Sequence, residues 1–479
     1  MTALASSAHL ARRPWRYISR AEIFIIGYFS VFFLAAFTLP TFVFFIYTPV
    51  AVAFAAILLF VAEDGYLEFG WWLWFLTPCL RRIVDLSIGY TSASPIMLAP
   101  LLVTMLCAIR LLSRFSNVPP IQFLAFGGIS LSLLYGFLIG AINAGLAAAA
   151  YGLADWATPV ILCWYLAARP EKYQNFSAVT RRSFLIGSLL MGIYGIYQFF
   201  YLPSWDAYWM VSAELVSQGD PLPMLVRVFG TLNSSLPYAI ALMAGLLFIA
   251  AQARTLAWLA AVPALIGFLL SLVRTSWIGL AVGLIVLMIR APAKRQFQLI
   301  LGVGIIILLT LPILSNDTIS KLVFDRFQTF FTLEEDASYQ SRSDFYTQAR
   351  DKLLSNFVGT GIGSNGTAAM LADQDEESTE FFVYDSGLMA IPFTLGIPGA
   401  VFFFSGFLSL CFVAFFSART PNDSTAIAAL AVLAGILIQA IGGNVFNGVS
   451  AIILWGMLGL LLSARQFHRV HGASFPGAT

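Results

Sequence analysis

Long apolar stretches follow one another along almost the whole chain, and short polar turns separate them. A helix needs about 20 predominantly apolar residues to cross the hydrocarbon core of a membrane, and most of these stretches approach or exceed that length. The strict alternation of apolar and polar residues that is typical of barrel strands is absent. The pattern therefore predicts a series of membrane-spanning helices. The predicted spans are residues 23–39, 41–62, 66–80, 94–112, 121–143, 146–168, 181–202, 236–252, 256–273, 275–290, 297–314, 388–416, 424–443 and 447–464.

A helical bundle is the predicted fold because lipid offers backbone N–H and C=O groups no hydrogen-bond partner outside their own helix. The first part of the pattern permits two interpretations. Residues 66–80, which include Trp71, Trp72 and Trp74, form either a third span or an aromatic segment that lies flat in the membrane interface. In the second interpretation, one of the first two apolar runs also fails to cross. The sequence thus predicts an all-α polytopic membrane protein with about 12–14 transmembrane helices.

One polar insert, residues 315–387, interrupts the apolar pattern late in the chain. The stretch from Leu314 to Leu388 holds 13 of the 24 acidic residues and 5 of the 26 basic residues. We therefore expect three parts. Residues 1–314 form the first part of the bundle, residues 315–387 form a large periplasmic loop with an amphipathic helix, and residues 388–479 form the last spans and a cytoplasmic tail.

Composition and charge agree with a membrane protein and indicate its orientation. The chain is 59% apolar and 10% charged, with a mean hydropathy of +0.84, whereas ordinary soluble domains carry about 25% charged residues. The net charge of +2 gives no reason to expect a nucleic-acid partner. Seventeen of the 26 basic residues fall on one side in short segments, which the positive-inside rule makes cytoplasmic together with both termini. If residues 66–80 cross, Arg81 and Arg82 fall outside, against this bias.

Arginines at the predicted outer face are candidate anion ligands. Arg274 interrupts apolar sequence at a tight outward turn, where an unpaired cation costs a few kcal/mol. It either extends into the headgroup region or contacts an anion such as a lipid-linked phosphate. Arg227 ends the other external loop and is a candidate for the same anion site. Asp155 is the one clear carboxylate inside a predicted span, where a functional role and a structural pairing with an arginine are both open.

The polar insert contains further candidate residues. Ser341 and Asp344 resemble a capping box at the start of a predicted helix. Arg342 beside that helix start is either a phosphate clamp or a surface arginine. Asp385 lies next to Tyr384, just before a span, and is either a general base or a solvated carboxylate.

Glycine and histidine positions limit the chemistry that the outer face can perform. The glycines of Gly359-Thr360-Gly361-Ile362-Gly363 follow a predicted helix rather than a strand, so they do not form a dinucleotide fingerprint and instead predict a flexible helix end and turn. His9, His468 and His471 all lie in the terminal segments. We therefore expect no histidine base on the outer face, and we predict no metal and no cofactor.

Four stretches of the chain carry a resemblance to a known family. They are Arg227-Val228-Phe229-Gly230 with Asn233; Leu272 to Leu280; Ser341 to Phe345 followed by Phe357 to Gly363; and Asp385 to Leu388 followed by Leu395 to Gly399. In this order and spacing, they resemble the bacterial O-antigen ligase and O-antigen polymerase superfamily, whose members transfer glycans from undecaprenyl pyrophosphate. The first half of the chain matches only in hydropathy and number of spans.

The resemblance implies a GT-C-like membrane glycosyltransferase in the bacterial inner membrane. Its donor is an undecaprenyl-pyrophosphate-linked oligosaccharide, and its other candidate partners are the lipid bilayer and a chain-length regulator or further polysaccharide-export proteins. The resemblance implies that a pair of arginines, Arg274 and Arg342, holds the pyrophosphate. With Asp385 as the candidate general base, these are the predicted catalytic residues. The predicted substrate-binding residues are Arg227, Asn233, Tyr384 and Asp344.

The residue before the span that follows the loop bears on the acceptor. Ligases of the family place a catalytic histidine there, and this chain has Asp385. We therefore predict an O-antigen or exopolysaccharide polymerase, which transfers the glycan to a sugar hydroxyl. The alternatives are an O-antigen ligase that transfers glycan to lipid A core, a transporter or flippase of lipid-linked sugars, and a non-enzymatic assembly protein. A transporter would be expected to show internal symmetry and charged residues near the bilayer midplane.

Overall fold

The computed structural model describes residues 19–252, 255–314, 317–328, 357–364, 366–371, 386–416 and 423–472. Over these residues the chain is helical, and Gly219 and Val226 form an isolated β-bridge. The α-helices are α1 (Arg20–Thr38), α2 (Pro40–Val61), α3 (Glu63–Ile88), α4 (Leu98–Met105), α5 (Cys107–Leu112), α6 (Pro120–Asn143), α7 (Leu146–Ala167), α8 (Tyr173–Tyr201), α9 (Ser204–Ser212), α10 (Ser235–Gln252), α11 (Thr255–Leu270), α12 (Arg274–Arg290), α13 (Ala293–Leu314), α14 (Asp317–Gln328), α15 (Gly387–Phe415), α16 (Ser424–Gln439) and α17 (Gly448–Gly472).

The predicted fold class is confirmed: the chain is an all-α polytopic membrane protein. Nine helical segments of the described chain are long and apolar enough to cross a membrane, one of them the segment Pro95–Leu112 that contains α4 and α5. Helix α16 is among the shorter apolar helices. Each of the fourteen predicted apolar stretches coincides with a helix or, for residues 94–112, with a 3₁₀ turn followed by α4 and α5. Three of these helices extend eight residues beyond a predicted bound: α3 ends at Ile88, α8 begins at Tyr173 and α17 ends at Gly472. Helices α9 and α14 are additional short helices in the connecting segments.

Both termini of the described chain lie at one end of the bundle, which we call the basic end. Glu22, near the start of α1, pairs with Arg182 of α8. Asp423, just before α16, accepts a hydrogen bond from Tyr173 of α8 at 2.6 Å and lies 2.9 Å from Nε2 of His468 in α17. Since Tyr173 and Arg182 lie in the first turns of α8, the start of α1 and the end of α17 share this end. The opposite end, where α9 lies, is the loop end.

Helix α3 is a full-length helix of the bundle, so the interpretation of residues 66–80 as a flat interfacial segment is wrong. The helix has 26 residues, and Phe69, Leu73 and Phe75 are fully buried. It packs against α1, α2, α8 and α9. A segment lying flat at the surface would leave one of its faces exposed, whereas buried residues occur along nearly the whole of α3.

The two arginines that break the charge bias, Arg81 and Arg82, are each paired with a carboxylate. Arg81 lies 3.0 Å from Asp85 one turn further along α3. Arg82 lies 3.1 Å from Asp206 of α9, and both side chains are fully buried. Because each arginine–carboxylate pair is close to neutral as a whole, these two arginines add little to the net positive charge of the loop end.

Asp155 contacts a helix start rather than an arginine. It lies on α7, and the backbone N–H of Gly448, the first residue of α17, hydrogen bonds its carboxylate. A carboxylate at a helix N-terminus interacts favourably with the helix dipole and supplies an acceptor for an N–H group that has none within the helix. The contact therefore gives Asp155 a structural role between α7 and α17.

The glycine-rich segment is a packed loop, so the prediction of a flexible turn is wrong. Helix α15 is kinked at Gly396, whose φ is +64°, and Pro398 has no N–H to donate to the Thr394 carbonyl. That carbonyl instead accepts from the N–H of Gly361 at 2.9 Å. The Phe393 carbonyl accepts from Thr360, also at 2.9 Å. The loop therefore supplies the donors that the kinked helix lacks.

Helices α6 and α7 close the other side of this loop. The N–H of Ile362 donates to the Gly136 carbonyl of α6 at 2.8 Å, and the Ile362 side chain is fully buried. A Cβ on Gly140 of α6 would lie 1.8 Å from the Ile362 carbonyl oxygen, and one on Gly152 of α7 would lie 2.9 Å from the N atom of Gly363. Only glycine permits such close approach of backbone to backbone.

Replacing Gly361 with alanine is expected to lower the thermal stability of the detergent-solubilised protein strongly. Its φ is +87°, and a Cβ would lie 2.2 Å from the backbone N of Gly140. Left-handed backbone costs about 1–2 kcal/mol and overpacking about 1–3 kcal/mol more. Gly366 is the matched control, because its φ is +66° and a Cβ there meets nothing within 4 Å. Equal melting temperatures for the two alanine variants would contradict the packed loop.

Candidate functional site

Three arginines converge at the loop end, around the turn that joins α11 to α12. Arg274 is the first residue of α12. Nη2 of Arg227 lies 3.5 Å from the Leu272 carbonyl oxygen, and Nε of Arg326, in the last turn of α14, lies 3.4 Å from the same oxygen. All three side chains are partly exposed. We call Arg227, Arg274 and Arg326 the arginine cluster.

The arginine cluster brings three positive charges close enough to repel one another. Burial, followed by the charges of Arg326 and Arg274, lowers the pKa of Arg227 to about 10. Among the described residues, the Arg227 guanidinium donates to the backbone carbonyls of Ser217 at 2.8 Å and Leu272, and its Nε has no hydrogen-bond partner. A bound anion would offset the repulsion between the guanidiniums and raise that pKa.

The turn beneath the cluster is strained. Leu272 has a φ of +54°, a left-handed conformation that residues with a side chain rarely adopt. Such a conformation costs on the order of 1–3 kcal/mol and persists where surrounding contacts hold it. The Leu270 carbonyl accepts from the N–H of Val228 at 3.1 Å, and the N–H of Leu272 donates to the Leu269 carbonyl at 3.0 Å. The turn is thus tied directly to the segment that carries Arg227.

Close packing against α16 fixes the start of α12 and therefore Arg274. Gly279 and Gly435 face each other, and a Cβ on either would lie 2.6 Å from the carbonyl oxygen of the other. Small residues of this kind allow two membrane helices to approach closely. One turn nearer to Arg274, the hydroxyl of Ser276 lies 2.5 Å from the side-chain oxygen of the fully buried Gln439. Helix α12 is therefore held in both distance and register.

A buried polar network fixes the backbone next to Arg227. Oε1 of Gln198 accepts from the N–H groups of Phe229 at 3.0 Å and Gly230 at 2.9 Å. The Gly230 carbonyl accepts from Nη2 of Arg82 at 2.6 Å. Asp206 joins the network by accepting from Nε2 of Gln198 at 2.6 Å while it pairs with Arg82 at 3.1 Å. Side chains from α3, α8 and α9 thus hold the backbone at Gly230, which lies three residues after Arg227.

The start of α15 adjoins the same end of α16 as the start of α12. The Ser386 hydroxyl lies 3.4 Å from the Ala440 carbonyl oxygen, and the N–H of Gly387 donates to the Gly443 carbonyl at 3.1 Å. Ala440 directly follows Gln439, which contacts Ser276. The first residues of α12 and α15 are therefore neighbours across the end of α16.

The structure brings some of the predicted site residues together. Arg227 and Arg274 lie in the arginine cluster. Asn233 lies on the same segment as Arg227, at the loop end. Its backbone carbonyl accepts from Nε1 of Trp209 at 3.4 Å, and its buried Oδ1 has no hydrogen-bond partner among the described residues. The remaining predicted residues lie outside the described residues: Arg342, Asp344, Tyr384 and Asp385.

Sequence reasoning missed Arg326. It lies in the predicted polar insert, on a short helix whose apolar side includes the partly buried Leu322 and Val323. The sequence signal was a cation at the end of an amphipathic helix in a segment already assigned to the outer face. Nothing in the sequence indicated that this helix returns to the turn before Arg274.

The one described histidine with a charged partner lies far from the arginine cluster. His468 contacts Asp423 at the basic end, close to the ring of Tyr173. All three histidines of the chain lie before residue 10 or after residue 467. The segments that build the arginine cluster therefore contain no histidine that could act as a base.

Comparison with known proteins shows which family part of this chain resembles. Residues 259–404 match the family model described as O-antigen ligase. This part of the chain is similar to the O-antigen ligase family. The match includes Arg274, Arg326 and the packed glycine loop, whereas Arg227 and Asn233 precede it. No curated protein matches the chain.

The O-antigen ligase domain agrees with the resemblance found in the sequence. It supports a function of the general O-antigen ligase or polymerase type in a multi-pass membrane protein. The arginine cluster adds the chemistry available at the loop end of that domain: guanidiniums that bind phosphate oxygens with charge-assisted, often bidentate hydrogen bonds. Such a cluster at the end of a membrane bundle is suited to an anion that is attached to a lipid.

Proposed function

We propose that the chain is a polysaccharide polymerase that transfers a glycan from a polyprenyl pyrophosphate to a sugar hydroxyl at the loop end of the bundle. The observation that carries this proposal is the convergence of Arg227, Arg274 and Arg326 on one strained turn. In an O-antigen ligase family domain, the anion expected at such a cluster is the pyrophosphate of the lipid-linked donor.

Charge develops on the leaving pyrophosphate as the bond between the anomeric carbon and the phosphate oxygen breaks. Preorganised cations aimed at that charge lower the barrier without having to reorganise during the reaction. The turn at Leu272, the Gly279–Gly435 contact and the Gln198 network hold Arg227 and Arg274 in advance of binding. The donor's lipid chain would lie in the bilayer beside the bundle.

The acceptor hydroxyl needs a base as it forms the new bond to the anomeric carbon. We assign this role to Asp385, which takes the hydroxyl proton while the polyprenyl pyrophosphate departs with the electron pair of the broken bond. A single displacement of this kind inverts the anomeric centre. The support for Asp385 is its bond to Ser386, since Ser386 and the first turn of α12 contact consecutive residues of α16.

Arg342 is the second pyrophosphate ligand expected from the family resemblance, and Tyr384, Asp344 and Asn233 are proposed to contact the donor or acceptor sugars. The choice of a polymerase over a ligase rests on Asp385, which stands where the ligases have histidine. A carboxylate base is sufficient to accept a proton from a sugar hydroxyl that is held within hydrogen-bond distance.

The deciding experiment is reconstitution of the purified protein in proteoliposomes with a defined undecaprenyl-pyrophosphate-linked repeat unit, with and without a lipid A core acceptor. We expect a ladder of polymer without the core, and we expect Asp385→Asn to abolish it. A single transfer that requires the core would identify a ligase and overturn the polymerase proposal. Absence of any transfer, with movement of the donor across the bilayer, would identify a transporter.

A further inference from the structure

A cavity at the basic end, opposite the arginine cluster, combines two arginines with an apolar rim. It has a volume of about 350 Å³ and lies between the start of α6 and the ends of α15 and α17. Arg465, Gln466 and Arg469 line it from α17. Neither the proposed transfer reaction nor the O-antigen ligase domain, which ends at residue 404, accounts for these residues.

The polar side of the cavity is arranged to receive an anion. Arg465 donates through Nη1 to the Val413 carbonyl at 3.0 Å, which fixes its guanidinium at the end of α15. Gln466 donates to Oε1 of the buried Gln122 at 3.2 Å. Arg469 lies one turn beyond Arg465 on the same face of α17 and is exposed. Two guanidiniums thus border one cavity.

The apolar side of the cavity continues onto the surface that faces lipid. Phe412 and Phe416, near the end of α15, are 65% and 41% exposed, and Ile121 of α6 is 55% exposed. Side chains of this kind at a helix end contact acyl chains in a membrane bundle. A ligand that fits both sides therefore has a phosphate head and hydrocarbon tails. A soluble phosphate compound would use only the polar side.

We propose that this cavity binds one anionic phospholipid, with its phosphate on Arg465 and Arg469 and its acyl chains against Phe412, Phe416 and Ile121. Basic pockets between helices on the side of a membrane protein that is rich in Lys and Arg bind anionic headgroups in this way. The bound lipid joins the ends of α6, α15 and α17. Helices α6 and α15 also enclose the packed glycine loop, so the lipid stabilises the pair of helices that holds that loop.

The test counts the lipids that remain bound when the protein is released from nanodiscs into native mass spectrometry. The nanodiscs contain phosphatidylcholine with a minor fraction of phosphatidylglycerol. We expect one phosphatidylglycerol to be retained by the native chain. In the Arg465→Gln/Arg469→Gln variant, we expect its affinity to fall at least about tenfold.

The matched control is Arg290→Gln/Arg295→Gln, which removes two positive charges from the turn between α12 and α13 at the same end. We expect it to retain the lipid. Equal loss of lipid in the control would show that the lipid adsorbs to net positive charge, and it would overturn the site. Full retention of lipid in the Arg465→Gln/Arg469→Gln variant would also overturn the site. Arg469→Gln alone leaves the Arg465–Val413 hydrogen bond intact, so lipid loss in that variant separates binding from any effect on folding.

Discussion

Replacing Arg274 with glutamine is expected to lower glycan transfer by about 10²–10³-fold while the protein remains folded in the membrane. The amide keeps much of the side-chain length but removes the positive charge and the fork of donors that matches a phosphate group. Arg274 begins α12, and contacts of Gly279 and Ser276 hold the same helix further along, so α12 should keep its position in the variant. The measurement is initial rate with a defined lipid-linked donor in proteoliposomes.

Arg227→Gln and Arg326→Gln are expected to act in the same direction. Each is expected to cost about tenfold or more in rate. Combining either substitution with Arg274→Gln should lower the rate by less than the product of the two single effects. Residues that stabilise one group as a unit do not have additive effects. Arg274→Lys keeps the charge but not the bidentate geometry, so its rate should lie between those of the native chain and Arg274→Gln.

Arg114→Gln is the matched control for these substitutions. It removes one positive charge at the basic end, where Arg114 pairs with Glu171 at 2.7 Å on a well-exposed surface. Exposed pairs of this type contribute little to stability, so the transfer rate should stay unchanged. If the Arg274, Arg227 and Arg326 variants all kept the native transfer rate, the arginine cluster would not be the pyrophosphate site.

The sequence predicted the helices well because each needed only a local property, a run of apolar residues long enough to cross a bilayer. The difficult case was α3, whose charged residues made residues 66–80 ambiguous. Arg82 is tolerated there because Asp206 of α9 pairs with it. That partner lies 124 residues further along the chain, and no local pattern reveals such a pairing.

The glycine loop and the arginine cluster were harder to predict, because they too depend on contacts between segments that are distant in sequence. A glycine is required at position 361 because Gly140 of another helix lies against it, and this contact is a property of two segments. Arg227 and Arg274 were predicted as members of one anion site from their common outward placement. Arg326 was missed because its proximity to Leu272 depends on where α14 packs.

The Arg82–Asp206 pair connects stability to the arginine cluster. Both side chains are fully buried, and Arg82 also holds the Gly230 carbonyl, three residues from Arg227. The ring of Phe229 lies 4.8 Å from the Arg82 guanidinium carbon, which adds a cation–π contact. Loss of this arginine should therefore affect both folding and the placement of the segment that carries Arg227.

Replacing Arg82 with methionine is expected to destabilise the protein by about 3–5 kcal/mol, because it leaves the Asp206 charge buried without its partner. The measurement is the melting temperature of the detergent-solubilised protein, together with its yield in the membrane. Removing one partner of a buried pair costs more than removing both, so Arg82→Met/Asp206→Leu should recover part of the loss. Full recovery is not expected, since the buried Gly230 carbonyl would still lack its donor from Arg82.

The activity of the Arg82→Met/Asp206→Leu variant shows whether the Arg82–Asp206 pair only supports the fold or also positions Arg227. If the Gln198–Arg82–Asp206 network positions Arg227, the Arg82→Met/Asp206→Leu protein that reaches the membrane folded should bind the donor more weakly. Its KM should rise, with a smaller change in kcat. Arg81→Met/Asp85→Leu is the matched control, because it removes the neighbouring pair on α3, 3.0 Å apart, which does not contact Gly230. An unchanged KM in the Arg82→Met/Asp206→Leu variant, or an equal rise in KM in the control, would confine the Arg82–Asp206 pair to a structural role.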